Sequence, residues 1–183
     1  IFHEVNFLTT GIGGKLNSSL GWDQGRLNES RIKWRTTMHS SNDFDLLFDQ
    51  SRFSINGFKW YLDSGSDLIV QNKHIQTNKL MLRSDQKNQR IEAGGCLSDN
   101  VNDVLGLSIT NLDLEDLSKM LNLEVDLAGK VNGSLGLSNP YEALTLTSNV
   151  DILSFFINQE EVGEIHIDAT YNDALAAVGL KGT

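Results

Sequence analysis

The stretch that decides the fold reads LEVDLAGKVNGSLGL and runs from Leu123 to Leu137. Leucine, valine or glycine stands at every odd position, and charged, polar or small residues take the even positions. Because successive side chains of a β-strand point to opposite faces of a sheet, this alternation predicts a long strand with one apolar face. A strand usually has about five or six residues, so the glycines predict a bend, bulge or hairpin within this one.

The same two-residue period recurs on both sides of this stretch. It continues, after a turn at residues 139–141, through residues 144–152 and, after a turn near 159–161, through residues 165–171. Weaker versions occur at residues 32–36, 58–62, 80–83 and 105–109. Asn56-Gly57 precedes one of them and is the strongest hairpin signal in the chain. The chain is therefore predicted to be mostly β.

One segment departs from this period. In the sequence NLDLEDLSKML, Leu114, Leu117 and Leu121 follow helical spacing. Asp113 has a side chain suited to an N-cap, and acidic residues follow it in the first turn. The pattern predicts a helix over residues 113–121. We expect this helix to cover one edge or end of the sheet, since exposed strand edges need protection.

Length and charge limit the class of protein. The 183 residues predict one domain or a piece of a larger protein, and the formal net charge is −9. Residues 1–100 hold 12 basic and 11 acidic side chains, whereas residues 101–183 hold 3 and 13. This balance argues against a nucleic-acid partner, because phosphate binding requires a basic surface. The longest apolar run, residues 174–180, is far shorter than a membrane span.

Other features concern processing and domain organisation. A single cysteine, Cys96, excludes an internal disulfide. The sequence begins with Ile1 and shows no signal peptide, so we expect an excised segment or a processed chain. One proline and no Ser/Gly tract leave no obvious linker. We therefore predict an all-β fold, an elongated curled sheet with one short helix, formed by residues 1–183 as a single continuous segment.

Several stretches are similar to a known family. They are residues 55–62, 67–70, 74–84, 89–95, 105–117, the L-x-G-x-x-x-G stretch at 127–133, and 163–171. Together they resemble the TamB family of the AsmA-like superfamily over residues 50–175. The resemblance implies an open, solenoid-like curled sheet, called a β-taco, with an apolar interior. It also implies an internal span of a longer protein that is anchored in the inner membrane of a diderm bacterium and extends through the periplasm.

The resemblance further implies a role between two membranes. Members of this family support outer-membrane protein assembly with an Omp85-type barrel and move phospholipids between membranes. In this interpretation, phospholipid acyl chains lie in an apolar groove, where each buried methylene contributes about 0.8 kcal/mol. The expected lining residues are Leu123, Val125, Leu127, Val131, Leu135, Leu137, Leu144, Leu146, Val150, Ile152, Ile165 and Ile167. The alternative is that the same face packs on itself as a closed core.

Two further hypotheses come from other classes of protein. If Trp22, Trp34 and Trp60 are exposed, they could stack on sugars in a surface carbohydrate-binding β domain, although burial is the favoured interpretation. A β-helix glycoside hydrolase needs paired carboxylates, for which Asp43 and Asp45, with Asp49, are the candidates. Nothing distinguishes one of these acids from its neighbours. The sequence therefore predicts no catalytic residue and no enzyme.

Three smaller motifs are candidates for a phosphate-binding loop, a metal site and a reactive thiol. Gly11–Lys15 lacks the spacing and the ending of a phosphate-binding loop, so a turn is predicted there. Glu164, His166 and Asp168 share one strand face and could hold a metal in principle, but solvated polar faces are common. Cys96 follows two glycines and is interpreted as a buried, inert thiol. No cofactor and no metal are predicted.

Overall fold

The computed structural model describes residues 3–84 and 86–173, together with the backbone of residues 177–181. The elements are β1 (Asn6–Ile12), β2 (Lys15–Trp22), β3 (Ser30–Ser40), β4 (Asp43–Phe48), β5 (Ser51–Ile55), β6 (Phe58–Leu62), β7 (Asp67–Gln71), β8 (His74–Ser84), β9 (Gln89–Leu97), β10 (Val104–Asp113), α1 (Leu114–Leu121), β11 (Leu127–Ser138), β12 (Thr145–Ile157), β13 (Glu160–Asn172) and β14 (Ala177–Lys181). The predicted all-β fold, an elongated curled sheet with one short helix, is confirmed. In the described part of the chain, no helix is long and apolar enough to cross a membrane.

The sheet is an antiparallel meander. The fourteen described strands form one sheet in which successive strands pair with one another, except that β4 does not pair with β5 and β6 does not pair with β7. Strands β4 and β5 act as one long strand interrupted at residues 49–50, and β6 and β7 as another interrupted at residues 63–66. These two long strands form a hairpin whose turn is Asn56-Gly57, with both residues at positive φ. The hairpin signal at this dipeptide is therefore confirmed.

The glycines in β11 lie at irregular points of the strand, as expected from glycines within such a long alternating stretch. Gly129 has φ +137° and lies where the register between β11 and β12 shifts. Gly133 has φ +151°, and a Cβ there would lie 2.3 Å from the carbonyl oxygen of Asn149. Only glycine fits this close approach of two backbones without a shift of the neighbouring strand.

Register brings the apolar positions of neighbouring strands onto one face. Leu137 pairs with Leu105 on one side and with Leu146 on the other, and Leu146 pairs with Tyr171. Cross-strand partners point to the same face of a sheet. The apolar sides of β8 to β13 therefore form one continuous surface.

That apolar surface is the concave side of the curl. Trp60 on β6 and Leu112 on β10 line one small gap together with Leu117 of α1. Three strand spacings of about 4.8 Å would separate β6 from β10 by about 14 Å in a flat sheet. At the opposite ends of the strands, the Nζ of Lys73 lies 5.5 Å from the centre of the Tyr141 ring. The first contact requires the sheet to bend toward its apolar face, and the second joins the β7–β8 turn to the connection between β11 and β12.

Helix α1 covers one end of this concave face. The Oδ1 of Asp113 accepts hydrogen bonds from the backbone N–H groups of Glu115 and Asp116, and Asn122 ends the helix in the left-handed conformation. Leu114, Leu117 and Met120 pack against a buried cluster formed by Trp60, Leu112 and Val131. The predicted helix at 113–121 and its Asp113 cap are confirmed.

The prediction that the alternating strand starts at Leu123 is wrong. Leu123 and Val125 lie in the connection between α1 and β11 and are 45% and 41% exposed. The Oγ of Ser118 donates a hydrogen bond to the carbonyl oxygen of Val125, so this segment bonds to the helix rather than to a neighbouring strand. Leu144 lies immediately before β12, which begins at Thr145.

Candidate functional site

The candidate site is the concave apolar face of β8 to β13, which we call the inner trough. Its lining residues, assigned from strand register, are Leu80, Ala93, Leu105, Leu107, Leu135, Leu137, Leu146, Val150, Ile152, Ile165, Ile167 and Ala169. Seven of the residues expected from the sequence belong to this surface, and Val131 lies beside it in the cluster under α1. The trough thus brings together residues that are more than 80 positions apart in the chain.

Rows of side chains cross the trough from strand to strand. Leu107 pairs with Leu135, and Val150 pairs with Ile167. Directly opposed side chains on paired strands have Cβ atoms about 4.5–5.5 Å apart, so each row is in van der Waals contact. From β8 to β13 a row spans five strand spacings, about 24 Å along the sheet, and is interrupted by Ser148 next to Leu135 or by Gly133 next to Val150. One leaflet of a membrane has about 15 Å of hydrocarbon, so a row is long enough for an acyl chain.

The trough is open to solvent. Within the described ranges, six hydrophobic side chains are buried: Trp60, Leu62, Met81, Leu97, Leu112 and Val131. The lining residues of the trough are instead half-buried, and Leu146 is 42% exposed. A tightly packed core leaves few gaps and buries its aliphatic residues almost completely. The inner trough therefore differs from an ordinary closed core, and its apolar surface is accessible along its length.

A polar cluster anchors the helix that covers one end of the trough. The Nζ of Lys87 lies 3.0 Å from the Oδ2 of Asp113 and 2.7 Å from the Oδ1 of Asp116. The buried Gln89 donates from Nε2 to Asp116 and accepts from the backbone N–H of Asp113. The turn between β8 and β9 thus holds the start of α1 in place. Sequence reasoning identified the cap but missed Lys87 and Gln89, because their positions depend on the fold.

The electrostatics of this cluster favour the ionised form of Asp113. Burial acts to raise the pKa of Asp113, but the hydrogen bond from Lys87, the backbone N–H of Asp116 and the charges of Lys87 and Lys130 outweigh burial and lower this pKa. The hydrogen bond to Asp116 raises the pKa of Lys87, and the hydrogen bond to Asp113 and the two negative charges raise it further against the opposing effect of burial. The carboxylate of Asp113 therefore stabilises the folded state at neutral pH.

We expect Asp113→Ala to lower the free energy of unfolding by about 1–2 kcal/mol at pH 7, because an N-cap and a charge partner are lost together. Asp113→Asn keeps the cap and should cost less. The folded-state pKa of Asp113 lies below its unfolded value, so the stabilisation by its charge is present above the unfolded pKa, about 3.9. It is lost as the pH falls through the folded pKa.

Urea titrations of the original chain and of Asp113→Asn between pH 7 and pH 3 test this dependence. The difference in unfolding free energy between the two proteins should shrink as the pH falls. A difference that stays constant over this range contradicts a stabilising charge on Asp113.

A recess lies beside α1, beyond the covered end of the trough. It has a volume of about 490 Å³ and is lined by Glu115, Ser118, Lys119, Asp126, Leu127, Ala128, Phe156 and Gln159. Leu127, one of the residues expected in the groove, lines this recess and not the inner trough. Lys119 forms an ion pair with Glu115 one turn earlier in the helix. The recess is therefore mixed in polarity, unlike the inner trough.

The outer face of β12 and β13 is polar and acidic. Glu164, His166 and Asp168 share this face, but their ligand atoms do not converge, and the Nδ1 of His166 lies 2.7 Å from the Oδ1 of Asp151 instead. The structure thus does not bring Glu164, His166 and Asp168 together as a metal site. This part of the sheet therefore has an acidic outer face and an apolar inner face.

The candidate carboxylates of the glycoside hydrolase hypothesis lie outside the inner trough. The Oδ2 of Asp45 lies 2.9 Å from the Nε2 of His39. The Oδ1 of Asp49 lies 3.2 Å from the Nη2 of Arg35. The hydrogen bond with Asp45 raises the pKa of His39. Each of these two acids thus has a basic partner on the neighbouring strand β3.

The three tryptophans are at least half-buried. Trp60 is 6% exposed, whereas Trp22 and Trp34 are half-buried. The ring of Trp34 lies 6.2 Å from that of Phe7, which is on the edge strand β1. The sequence-based preference for buried tryptophans thus agrees best with Trp60.

Cys96 lies in a half-buried position on β9. Burial raises the pKa of its thiol, and the neighbouring Asp103 raises it further. A raised pKa keeps the thiol protonated at neutral pH, which makes it a poor nucleophile. The sequence predicted a buried thiol, whereas the structure places Cys96 in a half-buried position.

Comparisons of the chain with protein-family models, with curated proteins and with solved structures found no match. The resemblance of residues 50–175 to the TamB family therefore stays a prediction.

Proposed function

We propose that this chain is a lipid-conducting segment of a cell-envelope protein, with the inner trough as the path for phospholipid acyl chains. The single observation that carries the proposal is an apolar surface on the concave side of a curled sheet. It is formed mainly by aliphatic side chains of six neighbouring strands, which are half-buried and open to solvent. In this role the chain binds rather than catalyses. Its placement in the periplasm, as part of an inner-membrane-anchored protein, rests on the family resemblance.

The chemistry of the trough suits an amphipathic ligand. Each acyl methylene that leaves water contributes about 0.8 kcal/mol, so several carbons in contact with Leu137, Leu146 and Ile167 make binding favourable. The headgroup stays in solvent at the open side and needs no charged pocket. Because the lining residues are interchangeable aliphatics, a tail can move along the surface with little change in energy. This property supports conduction over tight storage.

The partners follow from the same interpretation. Support of outer-membrane protein assembly, with an Omp85-type barrel as partner, is the second part of the proposal and concerns the longer protein. The acidic outer face of β12 and β13 disfavours contact with anionic lipid headgroups on that side. Lipid is therefore expected at the concave face alone.

Mass spectrometry and photocrosslinking test the proposal. We expect solvent extracts of the purified chain to contain phospholipid. A photoreactive amino acid at Leu146, on the inner trough, should crosslink to lipid in cells or in vesicles. Asn149 on the same strand is exposed and faces the outer side, so the same probe there should give little crosslink. Equal crosslinking at both positions, or none at Leu146, contradicts the proposal.

A further inference from the structure

A second cluster of chemically reactive side chains lies outside the inner trough. Among the described residues, one ring nitrogen of His74, the Sγ of Cys96 and a carboxylate oxygen of Asp103 all lie within 4.8 Å of one another. All three residues are half-buried. The sequence does not predict this group, because His74 and Cys96 are 22 residues apart and no short metal-binding motif connects them.

Strand register explains why these residues meet. His74 opens β8, and Cys96 pairs with Gln76 near the end of β9. Asp103 ends the connection from β9 to β10. Cys96 and Leu97 are neighbours on a strand, so they point to opposite faces, and Leu97 aligns with the inner face. The cluster therefore lies on the outer face and is separate from the lipid path.

We propose that His74, Cys96 and Asp103 bind one divalent transition-metal ion of the zinc class. Imidazole nitrogen, thiolate sulfur and carboxylate oxygen are the three ligand types that Zn²⁺ takes from proteins, and three protein ligands leave a fourth position for water. Binding replaces the thiol proton of Cys96, which leaves to solvent, so the ion is held by a thiolate. The mixed donor set disfavours Ca²⁺ and Mg²⁺, which prefer oxygen ligands alone.

Neighbouring side chains already position two of the ligands. The Oγ of Ser98 donates to the Oδ2 of Asp103 at 2.6 Å, and the Nδ2 of Asn100 donates to its Oδ1 at 3.4 Å. The Nε2 of His74 lies 3.3 Å from the Oε1 of Gln76. Hydrogen bonds of this kind orient metal ligands and limit their rotation. They distinguish this group from a chance meeting of three freely rotating side chains.

The geometry requires a small adjustment only. Tetrahedral bonds of 2.0–2.3 Å place ligand atoms about 3.3–3.8 Å apart. The atoms of this group are within 4.8 Å, so side-chain rotations that bring them about 1 Å closer complete the site.

A bound ion would tie two connections of the sheet together. His74 follows the turn between β7 and β8, and Asp103 belongs to the connection between β9 and β10. Lys73 in the first turn contacts Tyr141 across the concave side. The ion thus stabilises the end of the sheet that lies opposite α1.

Cobalt titration tests the site directly, because Co²⁺ replaces Zn²⁺ and reports its ligands by absorbance. Cys96 is the only cysteine, so a thiolate-to-cobalt charge-transfer band in the near ultraviolet identifies this residue as a ligand. We expect one Co²⁺ per chain, with that band and the visible bands of a four-coordinate site. Zn²⁺ should displace the Co²⁺ and remove both signals.

Variants separate the site from adventitious binding. Cys96→Ser should remove the charge-transfer band, and His74→Gln and Asp103→Asn should each weaken Co²⁺ binding at least about tenfold. His166→Gln is the matched control, because His166 is also on the outer face and pairs with an aspartate. It should leave binding unchanged. Absence of the band in the original chain, or loss of Co²⁺ binding in His166→Gln, overturns the proposal. Circular dichroism of each variant checks that the sheet is intact.

Discussion

Leu146→Glu is expected to weaken phospholipid binding at least tenfold, which corresponds to about 1.4 kcal/mol. Leu146 lies in the row Leu105–Leu137–Leu146–Tyr171 and is 42% exposed, so a charged side chain of similar size fits there without disturbing the fold. The substitution removes aliphatic contacts worth about 0.8 kcal/mol per methylene. It also places a carboxylate beside the acyl chain, where the charge loses hydration without gaining a partner.

Thr147→Glu is the matched control for this substitution. Thr147 is the next residue on β12, is exposed, and faces the outer side of the sheet. Both variants add the same charge on the same strand, so a difference between them reports the face alone. Binding can be measured by titrating a fluorescent phospholipid into each purified protein. If both variants bind like the original chain, or lose binding equally, the inner trough is not the lipid path.

Trp60→Ala is expected to lower the free energy of unfolding by about 3–5 kcal/mol, the usual cost of removing a buried tryptophan. Trp60 is 6% exposed and belongs to the buried cluster with Leu112 and Val131. Leu117 and Met120 of α1 pack on this cluster. Loss of the indole should therefore also loosen the helix, and amide hydrogen exchange in residues 114–121 should become faster.

Trp34→Ala provides the comparison. Trp34 is half-buried and contacts Phe7 of the edge strand, so its loss should cost less than half as much. Urea titrations of both variants, followed by circular dichroism, give the two free energies. Equal losses would show that Trp60 has no special role in holding α1 against the sheet.

The two ends of the concave face are stabilised by different means. Helix α1 packs on Trp60 at one end and is anchored by Lys87 and Gln89. At the other end, the contact of Lys73 with Tyr141 stabilises the curl of the sheet. The proposed metal ion would add a second support there. The proposed lipid path and the proposed metal site lie on opposite faces, so each proposal can fail without affecting the other.

Local patterns were sufficient to predict much of the secondary structure. The alternation from Leu127 to Leu137 is a property of neighbouring residues, and so is the cap that Asp113 provides for α1. The same reasoning placed Leu123 and Val125 on the strand, because alternation alone does not reveal where pairing with another strand begins. The hydrogen bond from Ser118 to Val125 depends on the position of the helix and could not be inferred from the period.

The candidate site was predictable as a list of aliphatic residues and not as a surface. Alternation identified Leu137 and Leu146 as members of one face, but their adjacency depends on the register between β11 and β12. The group formed by His74, Cys96 and Asp103 left no signal in the sequence, because its members are brought together by the pairing of β8 with β9.

The sequence by itself determined that this protein is a β structure with one apolar side and one capped helix, since the alternation and the cap are each set by residues close together in the chain. Tertiary structure alone decided that the apolar side is concave, that α1 covers one end of it, and that its remaining length stays open. These properties depend on how far the sheet curls, which is set by contacts such as Trp60 with Leu112 between distant strands.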